Sequence, residues 1–426
     1  MSFALGILPA GLLLAGFPIF IVLLAASMIA LSVYMSVPLT AVQQNLFGSI
    51  NTVGLLAIPY FIFAGELMSR GTVSVRLVNF VRSFVGPLPG ALGVTTVGTA
   101  SIFGAISGSS AAAVASVGKV MYPAMDAAGY PKTISAGMIT SVSAIGIIIP
   151  PSIPMIVYGA SSETSIPRLY AAGILPGLLL AAMLALYIVI RASGSRFEVA
   201  ERLSFSNILK ATGKAFWALG APVIVLGGIY GGVFSPTEAA AVASLYAIVV
   251  TRLIFRELTW KDILDCAMNT ALFSAQILVI VATAGLFSWI LTVNQVPQHL
   301  VTWIASANVQ PWQFLLIVNV LLLVWGCVME PMSAILLLTP VLIPLVDALG
   351  IDKVHFGIIL TLNLAVGLFT PPFGINIFVA QSALKMRTID VYRGVLPFLL
   401  VFLAALVLIT YIPAISMTSA ELFMLD

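Results

Sequence analysis

Two groups of polar residues interrupt an otherwise apolar chain, and each group lies beside a proline doublet, Pro150-Pro151 or Pro371-Pro372. The polar side chains are Ser107, Ser109, Ser110 and Ser143 around the first doublet, and Ser333, Thr339, Asn363 and Thr370 around the second. A proline removes a backbone donor and blocks the carbonyl four residues earlier, so a doublet frees several carbonyls. Freed carbonyls and hydroxyls are hard oxygen ligands for a cation, and the N-termini of half-helices attract anions. The two groups therefore predict two ion sites. For any single hydroxyl, close packing of membrane helices is an equally good explanation.

Glu330 is a carboxylate between the apolar runs 324–329 and 335–338. An ionisable group in such surroundings is costly and is treated as functional by default. It could bind a substrate hydroxyl or amide, ligate a cation or carry a proton. The alternative is that it caps the helix that follows it.

The chain contains an internal duplication: residues 113–151 match residues 334–372 at a constant shift of 221 positions. The matched pairs include Asp126 with Asp347, Lys132 with Lys353, Gly146 with Gly367, and the two proline doublets. A duplicated apolar segment broken by glycine and proline at equivalent points indicates the binding site of a secondary transporter, because unwound backbone inside a bilayer must line a cavity.

Composition places the chain in a membrane. Hydrophobic residues make up 61% and charged residues 8%, whereas soluble domains are about 25% charged. Apolar stretches of roughly 20 residues, the length that crosses a bilayer, recur along the chain.

The first of these apolar stretches, residues 4–34, lacks a basic start and is too long for a signal-peptide core, so we expect it to be retained. The sequence leaves open whether it crosses once or twice. No basic stripe with interleaved aromatic residues predicts nucleic-acid binding.

Lys and Arg cluster in four windows, 70–82, 191–214, 252–261 and 385–393, which the positive-inside rule assigns to the cytoplasm. With these windows fixed, residues 92–125 are expected to form a re-entrant helical hairpin that enters from the cytoplasm. Residues 215–251 cross an even number of times, with a turn at 235–238. Helix 266–293 leads to an outer loop, 294–312, from which a second hairpin, 314–345, enters from the opposite face. The two copies are therefore predicted to have inverted topology.

Enzyme functions are disfavoured. The sequence around Gly118-Lys119 only loosely matches a phosphate loop, and Val120 stands where a magnesium-binding Ser or Thr is needed. No histidine lies in a predicted membrane segment to activate Ser107 as a nucleophile. His299 and His355 are expected in loops, away from any cluster that could form a metal site.

Five motifs resemble the large membrane subunit of tripartite ATP-independent periplasmic (TRAP) transporters. They are LAIPYFIFAGELM at 56–68, ISGSS at 106–110, IPPSI at 149–153, SPTEAA at 235–240 and TPPFG at 370–374. The overall pattern is most similar to the sialic acid members whose large subunit is a separate polypeptide, and C4-dicarboxylate members share every motif.

The resemblance implies an all-α polytopic elevator transporter in the bacterial inner membrane that imports an organic acid with sodium ions. Its partners would be a small four-helix membrane subunit and a periplasmic substrate-binding protein. The implied divisions are a scaffold arm (1–87), a first transport half (88–165), scaffold helices with a cytoplasmic connector (166–309), a second transport half (310–384) and a C-terminal helix (385–426). An ion channel or a subunit of an ion pump is the alternative from a different class.

The resemblance and the two polar groups together assign the site residues. The substrate contacts are expected to be Ser107, Ser109, Ser152 and Glu330. The first sodium site is expected to use Ser107, Gly108, Ser110, Ser143, Gly146 and Pro150. The second is expected to use Met329, Ser333, Asn363, Gly367 and Thr370.

Overall fold

The computed structural model describes residues 1, 3–35, 37–194 and 203–423. Within these ranges every regular element is helical. Two residues of the second basic window, Arg196 and Arg202, lie outside the described residues.

The first ten α-helices are α1 (Leu8–Leu14), α2 (Ile19–Ile29), α3 (Leu39–Ile50), α4 (Ala57–Arg70), α5 (Val73–Val85), α6 (Ala91–Ser107), α7 (Ser110–Ala127), α8 (Lys132–Val142), α9 (Ile153–Ser162) and α10 (Ile166–Ala192). The remaining ones are α11 (Phe205–Tyr230), α12 (Pro236–Ile248), α13 (Trp260–Val293), α14 (Val296–Ser306), α15 (Pro311–Val328), α16 (Pro331–Ala348), α17 (Lys353–Gly367), α18 (Ile375–Leu384), α19 (Thr388–Tyr411) and α20 (Ala414–Phe423). Short π-helical turns at Phe3–Ile7, Ala30–Tyr34 and Val249–Ile254, and 3₁₀ turns at Val53–Leu56 and Ser143–Ile147, adjoin them.

Eight helical segments of the described chain are long and apolar enough to cross a bilayer. They are Val53–Arg70, Ile166–Ala192, Phe205–Tyr230, Pro236–Ile254, Trp260–Val293, Pro311–Val328, Pro331–Ala348 and Thr388–Tyr411. This confirms the prediction of an all-α polytopic membrane protein. Residues 215–251 hold the end of α11 and the whole of α12, which pack together. The chain turns between them at 231–235, just before the turn predicted at 235–238. A capping box joins Ser235 and Glu238 at the start of α12.

The sequence duplication is a duplication of structure. Helices α7 and α16 begin and end at positions related by the shift of 221, and so do the starts of α8 and α17. Both proline doublets contain a cis peptide bond. The turn after each hairpin carries an equivalent ion pair, Lys132 to Asp126 at 3.7 Å and Lys353 to Asp347 at 3.0 Å. The two aspartates thus link each hairpin to the helix that follows it.

Each proline doublet ends a helix, since it supplies no N–H donors to continue the hydrogen-bond ladder. In the first copy α8 tightens into the 3₁₀ turn Ser143–Ile147 and the chain resumes as α9. In the second copy α17 ends at Gly367 and α18 begins at Ile375. The first break is buried, whereas Phe373 in the second is 58% exposed.

The two copies pack crosswise. Helix α7 of the first hairpin contacts α18, and α16 of the second hairpin contacts α9. Within each copy, paired glycines let the first hairpin helix touch the broken helix backbone to backbone: Gly104 meets Gly146, and Gly326 meets Gly367. Helices α10 and α19 pack against these elements, whereas α2, α3 and α4 pack against α13.

Four local expectations were wrong. The expected outer loop 294–312 contains α14, which begins with Pro297 in its first turn, where a missing donor costs nothing. The C-terminal region 385–426 holds two helices, because Pro413 separates α19 from α20. His299 and His355 lie in α14 and α17 rather than in loops. A stretch without Lys or Arg indicates the outer side of the membrane, but such a stretch can still be helical.

The first apolar stretch, 4–34, is divided at residues 15–18. Gly16 adopts a left-handed conformation with φ +81°, and Pro18 precedes α2. The segment is therefore two helical pieces, Phe3–Leu14 and Ile19–Tyr34, rather than one continuous tilted helix.

Candidate functional site

The tip of the first hairpin is a tight turn that places two serine hydroxyls at the start of α7. Gly108 has φ +59°, a conformation that favours glycine. The Ser107 hydroxyl donates to the Ser109 carbonyl at 3.3 Å and accepts from the Ser109 N–H at 3.3 Å. Ser109 Oγ in turn accepts from the Ala112 N–H at 3.4 Å, so Ser109 is the N-cap of α7.

Ser110 contacts the second copy. Asn376 of α18 donates from Nδ2 to Ser110 Oγ at 2.6 Å and to the Thr140 carbonyl at 3.2 Å. Its amide oxygen is buried and has no hydrogen-bond partner among the described residues. Asn376 was not predicted from the sequence. The signal that could have indicated it is the position of this amide, two residues after Gly374 and within an otherwise apolar run.

The other predicted residues of the first site lie at the break itself and are fully buried. Ser143 donates to the Ile139 carbonyl at 2.7 Å, and Ser152 donates to the Ile147 carbonyl at 2.6 Å. Ser152 is also the N-cap of α9 and accepts from the Met155 N–H at 3.4 Å. Gly146 lies against Gly104 of the hairpin, so the break and the tip belong to one packed unit.

At the tip of the second hairpin, Glu330 is the N-cap of α16. Its Oε2 accepts from the Ser333 N–H at 3.2 Å and from the Ser333 hydroxyl at 3.5 Å. The capping role that the sequence left as an alternative is therefore present. Capping does not test substrate binding, because one carboxylate can cap a helix and accept a further hydrogen bond.

The second break is backed by a buried amide network. Asn363 donates to Asn319 Oδ1 at 2.7 Å and to the Ile359 carbonyl at 2.9 Å, and Asn319 donates to Thr410 Oγ1 at 3.1 Å. Thr370 donates to the Val366 carbonyl at 2.7 Å. The sequence analysis did not single out Asn319 or Thr410.

Two buried oxygens of the second copy, Asn363 Oδ1 of α17 and Thr339 Oγ1 of α16, have no hydrogen-bond partner among the described residues. Buried polar atoms in native proteins are almost always satisfied, so each exception needs an explanation. A small cation bound by these two oxygens is an explanation that suits their chemistry. Of the residues predicted for the second sodium site, Asn363 thus supplies a buried oxygen that has no hydrogen-bond partner among the described residues.

A cavity of about 320 Å³ lies beside the tip of the first hairpin. One wall is formed by Ser107, Ser109 and Ala112 together with Ile153 of α9. The cavity is also lined by Ile62, Gly65 and Glu66 of α4 and by Asn269, Thr270 and Phe273 of α13. The structure thus brings Ser107 and Ser109 to one cavity. Ser152 and Glu330 are not among the described residues that line it.

Taken together, the internal repeat, the two broken helices and the eight possible spans define a polytopic membrane transporter. The fold is similar to a solved structure, the YdaH transporter of Alcanivorax borkumensis, with a TM-score of 0.65 at 18% identity over 95% of this chain and 98% of that one. The chain belongs to the family described as "Tripartite ATP-independent periplasmic transporter, DctM component", whose profile matches residues 6–415.

Characterised relatives differ in what they carry. The chain is 42% identical to the isethionate TRAP transporter permease protein DctMQ of Oleidesulfovibrio alaskensis over 95% of its length, and it spans 64% of that protein. It is 41% identical to the C4-dicarboxylate TRAP large permease DctM of Pseudomonas aeruginosa, with 85% of each chain covered. It is 34% identical to the sialic acid TRAP large permease SiaM of Vibrio cholerae, with 97% of each covered.

These findings confirm the resemblance found from the sequence. The protein is a TRAP large permease, a transporter rather than an enzyme, and a multi-pass protein of the inner membrane.

Proposed function

We propose that this chain imports an organic acid into the bacterial cytoplasm, driven by sodium ions, together with a small four-helix membrane subunit and a periplasmic binding protein. The observation that supports the proposal most directly is the cavity at the first hairpin tip, which is lined by Ser107 and Ser109 beside the N-terminus of the 18-residue helix α7. Such a helix end attracts a carboxylate.

Sodium is proposed as the coupling ion because of the oxygen ligands around both breaks. Within the described part of the chain, Asn363 Oδ1 and Thr339 Oγ1 of the second copy have no hydrogen-bond partner, and neither has Asn376 Oδ1, whose amide nitrogen bonds Ser110 of the first copy. One net charge moving through 100 mV supplies about 2.3 kcal/mol, while each tenfold accumulation costs about 1.4 kcal/mol. One net charge thus supports less than about a hundredfold accumulation, and a monoanion that moves with two or more sodium ions gains the sodium gradient in addition to that net charge.

Sialic acid is the first substrate to test, and a C4-dicarboxylate or another organic acid fits the family as well. Relatives of this chain are named as transporters of isethionate, C4-dicarboxylates, ectoine and sialic acid. Because their large permeases share one architecture, the shared motifs do not select among these substrates.

An elevator movement is proposed for alternating access. In it, the two hairpins and broken helices, about 88–165 and 310–384, slide as one body against the remaining helices. The crosswise packing of α7 on α18 and of α16 on α9 supports a body that moves as a unit.

The test is uptake by proteoliposomes that contain the chain and its small subunit, with binding proteins for sialic acid and for dicarboxylates compared side by side. We expect uptake of one acid that requires both an inward sodium gradient and its binding protein. Uptake that is unchanged when choline replaces sodium would exclude sodium coupling, and ion conduction without a binding protein would favour the channel alternative.

A further inference from the structure

A cavity of about 200 Å³ lies between α8, α10 and α19, none of whose described residues lines the cavity at the first hairpin tip. Its walls are mostly apolar, with Ile134 and Met138 from α8, Ile188 from α10 and Phe398 from α19. Among the described residues that line it, Arg191 in the last turn of α10 is the charged one. An apolar space with one cation suits a ligand that is part hydrocarbon and part anion.

Contacts among these three helices fix the shape of the cavity. A methyl group added to Gly137 would lie 2.0 Å from the Gly394 carbonyl carbon, so α8 and α19 are in backbone contact. The rings of Tyr187 and Phe398 meet edge to face with their centroids 5.5 Å apart, and this contact holds α10 against α19. The cavity is therefore a gap between helices that are fixed against one another.

The position of the cavity along the helices corresponds to the predicted cytoplasmic surface of the membrane. Arg191 begins the second basic window and α19 starts in the fourth, so the positive-inside rule places this end in the cytoplasm. Ile190 of α10 and Leu400 of α19 are 65% and 69% exposed, and both helices are long and apolar enough to cross a bilayer. Arg191 is therefore expected at the level of the lipid headgroups, with Tyr187 about one helical turn deeper.

The charge of Arg191 is not neutralised by another described residue. The side chain is exposed and forms no ion pair within the described part of the chain. Residues 195–202, outside the described ranges, contain two arginines and two glutamates and so add no net charge. Gly90, the N-cap of α6, lies against Ala192 and Ile188, where an added methyl group would be 2.9 Å and 3.0 Å from their side chains. The positive end of the α6 dipole thus lies beside the cavity and favours a negative ligand.

The other charges on the elements that form the cavity do not oppose an anion. Lys132 at the start of α8 pairs with Asp126 at 3.7 Å, and Arg387 pairs with Asp390 of α19 at 2.8 Å. Arg393 of α19 is exposed, and its charge also acts on Asp390. Because both carboxylates are paired, the surroundings of the cavity are net positive.

We propose that this cavity binds an anionic phospholipid of the cytoplasmic leaflet. The headgroup phosphate lies at Arg191, and one acyl chain lies against Ile134 and Phe398. Basic pockets between membrane helices on the cytoplasmic side recognise anionic headgroups, and one arginine near the surface gives about a fivefold preference for them. Tyr130 and Tyr187 also line the cavity, and tyrosine is typical of the membrane–water interface. This lipid site is additional to the proposed transport function.

The test uses two photoreactive phospholipids that have the same diazirine-bearing acyl chain and either a phosphatidylglycerol or a phosphatidylcholine headgroup. The chain and its small subunit are reconstituted in phosphatidylcholine vesicles that contain a trace of one or the other. After illumination, mass spectrometry measures the adduct yield on the cavity segments 130–138, 187–192 and 397–398. This yield is divided by the yield around Val223, an exposed residue of α11. The measured quantity is the ratio of the normalised yield for phosphatidylglycerol to that for phosphatidylcholine.

In the parent we expect a ratio of about five. Arg191→Gln removes the charge at the cavity and should reduce the ratio to less than about two. Arg168→Gln removes an exposed arginine from the other end of the same helix and should leave the ratio unchanged. An excess of unlabelled phosphatidylglycerol should lower the yield in the cavity segments but not around Val223, because the cavity is a saturable site.

A second pair of variants tests the acyl-chain part of the site. Ile134→Trp fills the cavity and should lower the yield in the cavity segments for both lipids. Leu400→Trp places the same ring on the exposed face of α19 and should not lower it. The melting temperatures of the purified complexes show whether each variant is folded, and the arginine pair alone decides the test if Ile134→Trp is not.

Three results in the lipid measurements would overturn the proposal. They are a ratio near one in the parent, no adducts in the cavity segments, and a ratio that Arg191→Gln lowers no more than Arg168→Gln does. Loss of the phosphatidylglycerol adducts on addition of inorganic phosphate would overturn it as well, because the ligand of Arg191 would then be free phosphate. Adducts that form only when the small subunit is left out would show that this subunit, and not lipid, covers the cavity.

Discussion

Glu330 shows how one side chain can serve two purposes at a hairpin tip. It caps α16 through Ser333, and a cap needs only an acceptor oxygen, which an amide also supplies. Any functional role of Glu330 must therefore reside in its charge.

We accordingly predict that Glu330→Gln assembles normally but loses nearly all uptake, because the amide retains the cap and removes the carboxylate. Uptake by proteoliposomes and the melting temperature of the purified complex are the measurements. Transport near the parental rate with parental sodium affinity would make Glu330 structural, and the substrate contacts would then be sought among Ser107, Ser109 and Ser152.

The hydroxyls at the two breaks allow a test with matched controls. Ser109→Ala and Thr370→Ala should each raise the sodium concentration needed for half-maximal uptake, since each removes an oxygen from one of the two polar groups that are predicted to hold ions. Ser165→Ala removes an N-cap of the same type from α10, and Thr251→Ala removes a similarly back-bonded threonine from the π-helical turn that follows α12.

Loss of an N-cap costs about 1 kcal/mol, so the control variants are expected to change stability but not the sodium requirement. The sodium sites would be misplaced if Ser109→Ala and Ser165→Ala changed the sodium dependence of uptake by the same amount.

At the scale of helices, the paired glycines explain how a broken helix can lie directly against a hairpin in each copy. A side chain at Gly104 would overlap Gly146, and one at Gly367 would overlap the Gly326 backbone. Both contacts involve backbone atoms, so no neighbouring side chain can move aside to relieve them.

Gly104→Ala and Gly367→Ala are therefore expected to destabilise the protein by about 1–3 kcal/mol, the range for overpacking a close contact. Gly213→Ala is the control, because nothing lies within 4 Å of its added methyl group and alanine favours α11. Thermal unfolding of the purified complex measures all three. If Gly104→Ala and Gly367→Ala melt like the parent, the backbone contacts contribute little to helix placement.

For the whole molecule, the predicted inversion of the two copies is the property that elevator transport requires. Ala127 and Ala348 occupy equivalent positions at the ends of α7 and α16, and both are exposed. They make a matched pair for measuring which face of the membrane each hairpin enters from.

In a background without native cysteines, Ala127→Cys should react with a membrane-impermeant maleimide only from the cytoplasmic side. Ala348→Cys should react only from the periplasmic side, because the basic windows place the two hairpin ends on opposite faces. Labelling of both from a single face would show that the copies are parallel.

Sequence alone determined the features that depend on local chemistry. The apolar runs predicted the membrane helices, the repeat predicted two equivalent hairpins, and the proline doublets predicted both breaks. These follow from sequence because segment length, donor loss at proline and self-similarity require no knowledge of distant neighbours. Even so, α14 and the second C-terminal helix, α20, were missed, since the absence of charge does not distinguish a loop from a short helix.

Tertiary structure decided which surfaces meet. Asn376 and Ser110 are 266 positions apart and bond at 2.6 Å, and the cavity joins Glu66, Ser109 and Asn269 from three separate segments. No periodicity or motif encodes such a meeting, because it depends on how whole helices pack. The backbone contact of Gly65 with Ser107 likewise exists only because α4 lies against the first hairpin.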